Sequence, residues 1–320
     1  MSTQVLHRIL RPPTLLKLLL LLLLLPQLVA AQPQLQPQRL SEHVWLLEGQ
    51  SALGSRENRN FISNAGLIIG PDGVVLVDAL GSPAVARELL AVIKTLTDKP
   101  LTHVILTHYH ADHVYGLQVL KAAGATIVAH QAAREYLHSE QAAQRLQASI
   151  AQGLVEPATQ LVPADQWIDG ETPLRVAGLA LQLIPVGPAH TPEDLAVWLP
   201  ADRLIFAGDL VFRGRVPFVG QSDSRRWIAS LDRLLTRPAA IIVPGHGPAS
   251  TDALQDLLLT RDYLSYLRAT MGRAARDMTP FDEAYAATDW SRYEALPLFR
   301  QANRMNAYNT YLLMEQQEPH

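Results

Sequence analysis

Four side chains able to ligate a metal fall within six residues at the end of one apolar run, and this crowding limits the chain more than any other feature. Residues 101–107 (LTHVILT) read as a short buried strand, and His108-Tyr109-His110-Ala111-Asp112-His113 follows directly. Alternation through an extended turn sets His108 and His110 on one side. A compact loop can turn Asp112 and His113 towards a second point. The chain has no cysteine, so imidazole and carboxylate are the available ligands. That donor set suits zinc, and accepts iron or manganese. Eleven histidines spread over 320 residues do not produce such a cluster by composition alone.

Three later runs end in comparable groups: His190 in VGPAHTPEDLAVWL, Asp209 in LIFAGDLVF and His246 in IIVPGHGP. Each follows an apolar stretch and sits among Gly or Pro, where an α/β scaffold presents functional side chains. Singly, each is an ordinary turn residue. Together with the first cluster they make a seven-member ligand set.

The pattern between these points alternates. Residues 43–49 and 64–80 read as strands, with Pro71-Asp72-Gly73 as a hairpin turn. Residues 84–96 read as a helix, 116–123 as another, 125–130 as a strand and 131–151 as a polar helical region. The second half repeats the theme without visible sequence identity. Strands are expected over 174–186, 195–212 and 239–247, and helices over 224–235 and 252–276, with shorter helical pieces to the end. Strand–helix alternation points to an α/β layer.

The N-terminus reads differently. Residues 1–31 carry Arg8, Arg11 and Lys17 but no acid, then eight leucines at 18–25, then Val29-Ala30-Ala31. This is the layout of a cleaved secretory signal, with the cut expected after Ala31. A spanning helix needs roughly 20 apolar residues, and Lys17 and Pro26-Gln27 interrupt this run, so an uncleaved anchor is the lesser reading. Residues 32–40 (QPQLQPQRL) read as a flexible linker. Cleavage removes three cations from a chain of net charge −3, which argues against nucleic acid as a ligand. Without disulfides, an exported chain must rely on core burial or bound metal.

The HxHxDH segment and the later His, Asp and His resemble the metallo-β-lactamase superfamily over residues 41–250. The resemblance implies a four-layer αβ/βα sandwich, here with a C-terminal helical extension over 251–320. It implies His108, His110 and His190 on one metal, Asp112, His113 and His246 on a second, and Asp209 bridging both. Asp78, ending VVLVD, matches an acid that supports the ligands from behind; a solvated strand-end acid is its other reading. The implied chemistry is hydrolysis of a small ester, thioester, lactone or lactam by a hydroxide between two zinc ions, with Asp112 orienting or deprotonating the water.

Zinc β-lactamases lack an acid at the position of Asp209, which resembles thioesterase, lactonase and glyoxalase-type relatives instead. His110 differs from the glutamate of oxygen-reducing diiron relatives. Iron-dependent persulfide dioxygenases keep many of these residues, leaving an oxidoreductase as an alternative. GDLVFRGRVPFVGQSDSRRWIASLDRL and NRMNAYNTYLLME resemble the quinoprotein relay system zinc metallohydrolases and their sulfur-oxidation-associated relatives. That resemblance implies a periplasmic hydrolase of a small molecule beside quinoprotein dehydrogenases. A non-catalytic partner of such a dehydrogenase is a further alternative.

Arg213 and Arg215 lie close enough after Asp209 to grip a substrate carboxylate or phosphate, or else to pair with surface acids. Tyr109, Tyr115, Phe212 and Phe218 are pocket lining or core. His103, His130 and His138 read as structural or solvated, and His7 belongs to the signal segment.

Overall fold

The computed structural model describes residues 35–220 and 222–317. The expected signal segment and its cleavage point therefore lie outside the described residues.

Two sheets face each other. The first has seven strands in chain order: β1 (Pro37–Arg39), β2 (Val44–Leu47), β3 (Ala65–Ile69), β4 (Val74–Val77), β5 (Leu101–Ile105), β6 (Thr126–His130) and β7 (Gln166–Ile168). β1 to β4 pair antiparallel, and β4 to β7 pair parallel. The switch follows from the connections. A tight turn at Pro71-Asp72-Gly73 returns β3 into β4, whereas helix α1 (Pro83–Leu96) carries the chain across a face between β4 and β5. Ser82 caps α1 by accepting from the Val85 amide, and Pro83 takes the first helical position, where a missing N–H costs nothing.

The second sheet has the order β12-β11-β10-β9-β8, from β8 (Thr172–Val176), β9 (Leu179–Pro185), β10 (Leu195–Leu199), β11 (Leu204–Phe212) and β12 (Ile241–His246). Its pairings are antiparallel except β11 with β12, which are joined through helix α6 (Ser224–Leu234). Between α1 and α6 lie the short helices α2 (Ala111–Val114), α3 (Leu117–Ala122) and α4 (Ala133–Leu137), and then α5 (Glu140–Ala151). Three helices close the chain: α7 (Ala253–Arg276), α8 (Phe281–Ala287) and α9 (Phe299–Gln317). β7 was not foreseen, and the single polar helical region expected over 131–151 is two helices, α4 and α5.

Side-chain alternation explains the layering. In the first sheet Leu46, Ile68, Val75, Val77, Ile105 and Val128 point at the second sheet, where Leu183, Val197, Leu199, Leu204 and Phe206 meet them. Their neighbours Leu47, Leu67, Leu76, Val104 and Ile127 point outward and are covered by Val85, Leu89 and Val92 of α1 and Leu117 and Leu120 around α3. The second sheet turns Ile184, Trp198, Ile205 and Ala207 outward against Trp227 and Leu231 of α6. The central strands of each sheet are buried on both faces, which is why they read as continuous apolar runs, whereas edge strands such as β8 alternate. The resulting order is helix, sheet, sheet, helix.

The C-terminal helices belong to the outer core of the second sheet. Leu257, Leu264, Leu267 and Met271 of α7 and Ala302, Ala307 and Tyr311 of α9 are buried in one cluster with Trp227 and Val211. A chain ending at residue 250 is therefore expected to lose cooperative unfolding and bind a hydrophobic dye, because that face of the second sheet would meet water. Thermal unfolding of the truncated protein, followed by near-ultraviolet circular dichroism, tests this; a sharp native transition would contradict it.

One expectation is corrected at the other end. Residues 35–40 are not a loose linker: Leu35 is 3% exposed in the outer core of the first sheet, and β1 pairs with β2, matching Pro37 with Leu47 and Arg39 with Trp45. The sequence there is Gln- and Pro-rich, but an edge strand of three residues tolerates Pro. Among the described residues, no helix is long and apolar enough to cross a membrane.

Candidate metal centre

All seven expected ligand side chains meet at one edge of the sandwich, where the strands of both sheets end. His108, His110, His190 and Asp209 present ligand atoms within 4.8 Å of one another, and so do Asp112, His113 and His246. Asp209 stands between the groups. Its Oδ2 lies 3.4 Å from His190 Nε2 and 3.9 Å from His108 Nε2 on one side, and 3.4 Å from His246 Nε2 on the other, while its Oδ1 lies 3.3 Å from His113 Nε2. Asp112 Oδ2 is 3.2 Å from His246 Nε2 and 3.6 Å from His113 Nε2.

Local backbone explains how Asp209 reaches this place. β11 and β12 slip in register around Gly208, which takes φ +54, so the strand bulges just before the acid. A Cβ on Gly208 would also stand 2.7 Å from Thr107. Opposite, a Cβ on Gly245 would lie 2.0 Å from Asp209 Oδ1. Both positions thus need glycine: the Thr107 side chain occupies the space at Gly208, and the Asp209 carboxylate with the adjoining 208–209 backbone occupies it at Gly245.

Three of the five imidazoles are held from behind. His113 Nδ1 is 2.9 Å from Asp78 Oδ2, and His108 Nδ1 is 3.1 Å from Thr107 Oγ1, which itself bonds Asp78 Oδ2 at 2.8 Å. The Thr107 amide donates to Asp78 Oδ1 at 2.8 Å. One buried carboxylate therefore orients a histidine in each group. His246 Nδ1 donates to the Ile62 carbonyl at 2.7 Å. These bonds place the protons on Nδ1 and turn the Nε2 lone pairs of His108, His113 and His246 inward. His190 Nε2 sits 3.0 Å from His110 Nδ1, and its ring packs edge-on to Trp227 at 5.2 Å.

The cluster has the character of a cation site. His108 Nε2, His113 Nε2 and Asp209 Oδ1 are buried and find no well-formed hydrogen bond within the protein. Buried polar atoms left without partners are costly, so inward-facing lone pairs of N and O character fit metal ions. Burial pushes His108 well below its usual range, His110 down to about 3 and His190 down as well. These three remain neutral and ready to ligate. His113 and His246 go the other way: burial opposes their charge, but Asp209 and Asp112 outweigh it and raise both. Asp209 and Asp112 are in turn held below the carboxylate range, since the imidazoles overcome the cost of burial.

Arg213 and Arg215 do not stand as a matched pair of free anion receptors. Arg213 Nε donates to Asp256 of α7 at 3.0 Å. Arg215 is 3% exposed, lies over the rings of Phe212 and Phe218, and brings Nη1 to 3.2 Å from His246 Nδ1, behind the ligand. Tyr109 and Tyr115 are core residues, whereas Phe212 stacks on His246 at 5.3 Å. Sequence reasoning missed Thr107, Ile62, Ser63 and Asn64. Ser63 Oγ donates to the Asp112 carbonyl, and Asn64 donates to the carbonyls of Pro244 and Gly247 at 2.8 and 2.7 Å, fixing the turn that carries His246. Nothing in their local pattern marks them, because their partners are distant in the chain.

Comparison with known proteins agrees with this construction. The profile of the metallo-beta-lactamase superfamily matches residues 58–246. The chain belongs to that superfamily. It is 29% identical over 233 residues to the metallo-beta-lactamase type 2 of Bacillus cereus, covering 71% of this chain and 81% of the relative. It is 28% identical over 163 residues to the hydroxyacylglutathione hydrolase of Ectopseudomonas mendocina (strain ymp), covering 51% of this chain and 53% of that protein. The solved metallo-beta-lactamase from Pontibacter korlensis shares the fold, with a TM-score of 0.57 at 23% identity, over 72% of this chain and 99% of that one.

Proposed function

We propose that this chain is an exported hydrolase with two zinc ions, acting on a small ester, thioester or lactone. The observation that carries the reading is Asp209, which approaches imidazoles of both ligand groups at once. His108, His110 and His190 would hold one ion, Asp112, His113 and His246 the other, and Asp209 both. Ions held there would supply Lewis-acid polarisation of a substrate oxygen and a water acidic enough to ionise near neutral pH.

The rest is work for the protein. Asp78 and Thr107 keep imidazole protons away from the centre. Asp112, 17% exposed at its side chain, is the more open of the two central carboxylates. Its carboxylate would be the group to orient, or accept a proton from, a metal-held water. An acid at the bridging position, together with the similarity to a hydroxyacylglutathione hydrolase, supports a thioester or related acyl substrate. The similarity to a metallo-beta-lactamase supports a lactam as the second reading. The charged, Leu-rich N-terminal segment supports export, and the long motifs around residues 208–234 and 303–315 support a place beside periplasmic quinoprotein dehydrogenases.

Elemental analysis of protein purified without added metal, alongside turnover of a thioester, a lactone and a β-lactam, tests the reading. Two zincs per chain with hydrolysis of a panel member is the expected result. One iron with oxygen uptake on a persulfide would replace it with the oxidoreductase alternative.

Zinc affinity should also depend steeply on pH. The raised His113 and His246 favour the metal-free protein below about pH 6.5, and that contribution fades as pH rises through their raised values. Asp112 and Asp209, being lowered, contribute above about pH 3.8 and stop contributing as pH falls through their lowered values. Above the lowered carboxylate values and below the raised imidazole values, loading must expel the two imidazole protons, so affinity is expected to rise by up to about 100-fold per pH unit. Proton release into weak buffer during zinc titration measures this directly; no release near neutral pH would contradict it.

A further inference from the structure

We propose that the last helix is part of the machinery that builds the metal centre, with Asn306 as a positioning residue acting through the segment that follows Asp209. The inference rests on the metal-site reading above.

Residues 213–220 and 222, between β11 and α6, form neither helix nor strand, so their backbone groups need partners from elsewhere. The C-terminal region supplies them. Val216 N–H donates to the Pro297 carbonyl at 3.1 Å. Asn306, 1% exposed, accepts from the Val219 N–H at 2.9 Å and donates to the Pro217 carbonyl at 2.6 Å. Its amide thus imitates a neighbouring strand, accepting from and donating to residues two apart. The second Nδ2 hydrogen goes to Tyr263 Oη at 2.9 Å. One turn further along, Asn309 donates to the Gly220 carbonyl at 2.7 Å.

The other side of the same segment touches both ligand groups. Arg215 reaches within 3.2 Å of His246 Nδ1, and Ser222 Oγ donates to the His190 carbonyl at 2.8 Å. His246 belongs to one group and His190 to the other. A single irregular segment is therefore braced on α9 and in turn packs against the His246 ring through Arg215 and holds the His190 backbone through Ser222. Asn303, Asn306 and Asn309, spaced by three residues, fall along one side of α9. Asn303 accepts from Tyr263 Oη and donates to Tyr285 Oη, joining the helix to its neighbours rather than to the segment.

That difference supplies the control. Asn306→Ala is expected to weaken zinc binding by about tenfold or more, the range typical of groups that orient ligands, and to speed hydrogen exchange at the Val219 amide in chelated protein. Asn309→Ala, at a partly exposed position with one contact, should shift both readouts in the same direction by a smaller factor, and it keeps the test alive if Asn306→Ala does not fold. Tyr285→Phe breaks the bond to Asn303 and should leave zinc affinity and Val219 exchange unchanged. The probe is zinc alone, titrated against a chromophoric chelator. Wild-type affinity in both asparagine variants, or equal weakening in Tyr285→Phe, would overturn the proposal. If the wild-type protein takes up no zinc, the metal reading itself falls, an outcome distinct from normal loading that ignores Asn306.

Discussion

Asp209→Asn is expected to remove hydrolysis almost entirely, by roughly 10³-fold or more, while the protein stays folded. The substitution conserves volume and removes one negative charge from a point within 3.9 Å of four imidazoles. A neutral amide cannot serve two cations, and several kcal/mol of electrostatic stabilisation, about 4 for a 10³-fold effect, would be forfeited. The same change has a signature without metal. In chelated wild-type protein Asp209 helps hold His113 and His246 protonated. Its loss leaves buried imidazolium groups less compensated, and unfolding by urea should show a deficit of about 3 kcal/mol at pH 6 that shrinks as pH rises and the rings shed their protons. On the proposed two-metal reading, elemental analysis should find both ions depleted. Full occupancy with full turnover would sink the bridging role.

Asp78→Asn should produce the second-largest effect, through a proton rather than a missing contact. Asp78 sits at φ +67, a conformation asparagine tolerates, so the backbone has no reason to move. An amide in place of the carboxylate keeps one acceptor but turns an N–H group toward Thr107 or toward His113 Nδ1. Facing His113, that donor forces the ring proton from Nδ1 to Nε2, the nitrogen 3.3 Å from Asp209. Zinc must then displace it. Affinity is expected to fall by roughly 10- to 100-fold, more for the ion that His113 would hold than for the one proposed at His108, His110 and His190. Cobalt substitution followed by visible spectroscopy separates the two. Loading of both sites as in the wild-type protein would remove Asp78 from its supporting role.

Much of this centre is legible in one dimension for a physical reason. His108, His110, Asp112 and His113 share a single strand-to-helix turn, so their proximity is covalent, and His190, Asp209 and His246 each stand close to a Gly or Pro, although Asp209 and His246 lie within strands rather than in the turns expected. The sheets are legible too, because strands buried on both faces are apolar throughout. Other features have no local trace. Asn64 and Ile62 matter through contacts about 180 residues away in sequence, and Thr107 is one more strand residue until Asp78 is placed beside it. Residues 35–40 look unstructured because their composition offers little to bury, yet the open edge of β2 is a ready partner for three residues of extended chain.

The two arginines mark the boundary between the kinds of information. Composition and spacing present Arg213 and Arg215 as equivalent; packing against α7 and behind His246 separates them. Likewise, three asparagines at intervals of three in the last helix are visible as a pattern, but their meaning depends on the irregular segment opposite them. The sequence alone determined the superfamily, the two-sheet architecture and the seven side chains that the fold gathers, since these rest on residue chemistry, short-range spacing and hydrophobic periodicity. Only the tertiary structure decided which carboxylate stands between the ligand groups at what distance, which groups orient the imidazoles, and how the C-terminal helices reach the site. Those depend on the meeting of strand ends from two sheets, and no local pattern encodes a contact whose halves lie far apart in the chain.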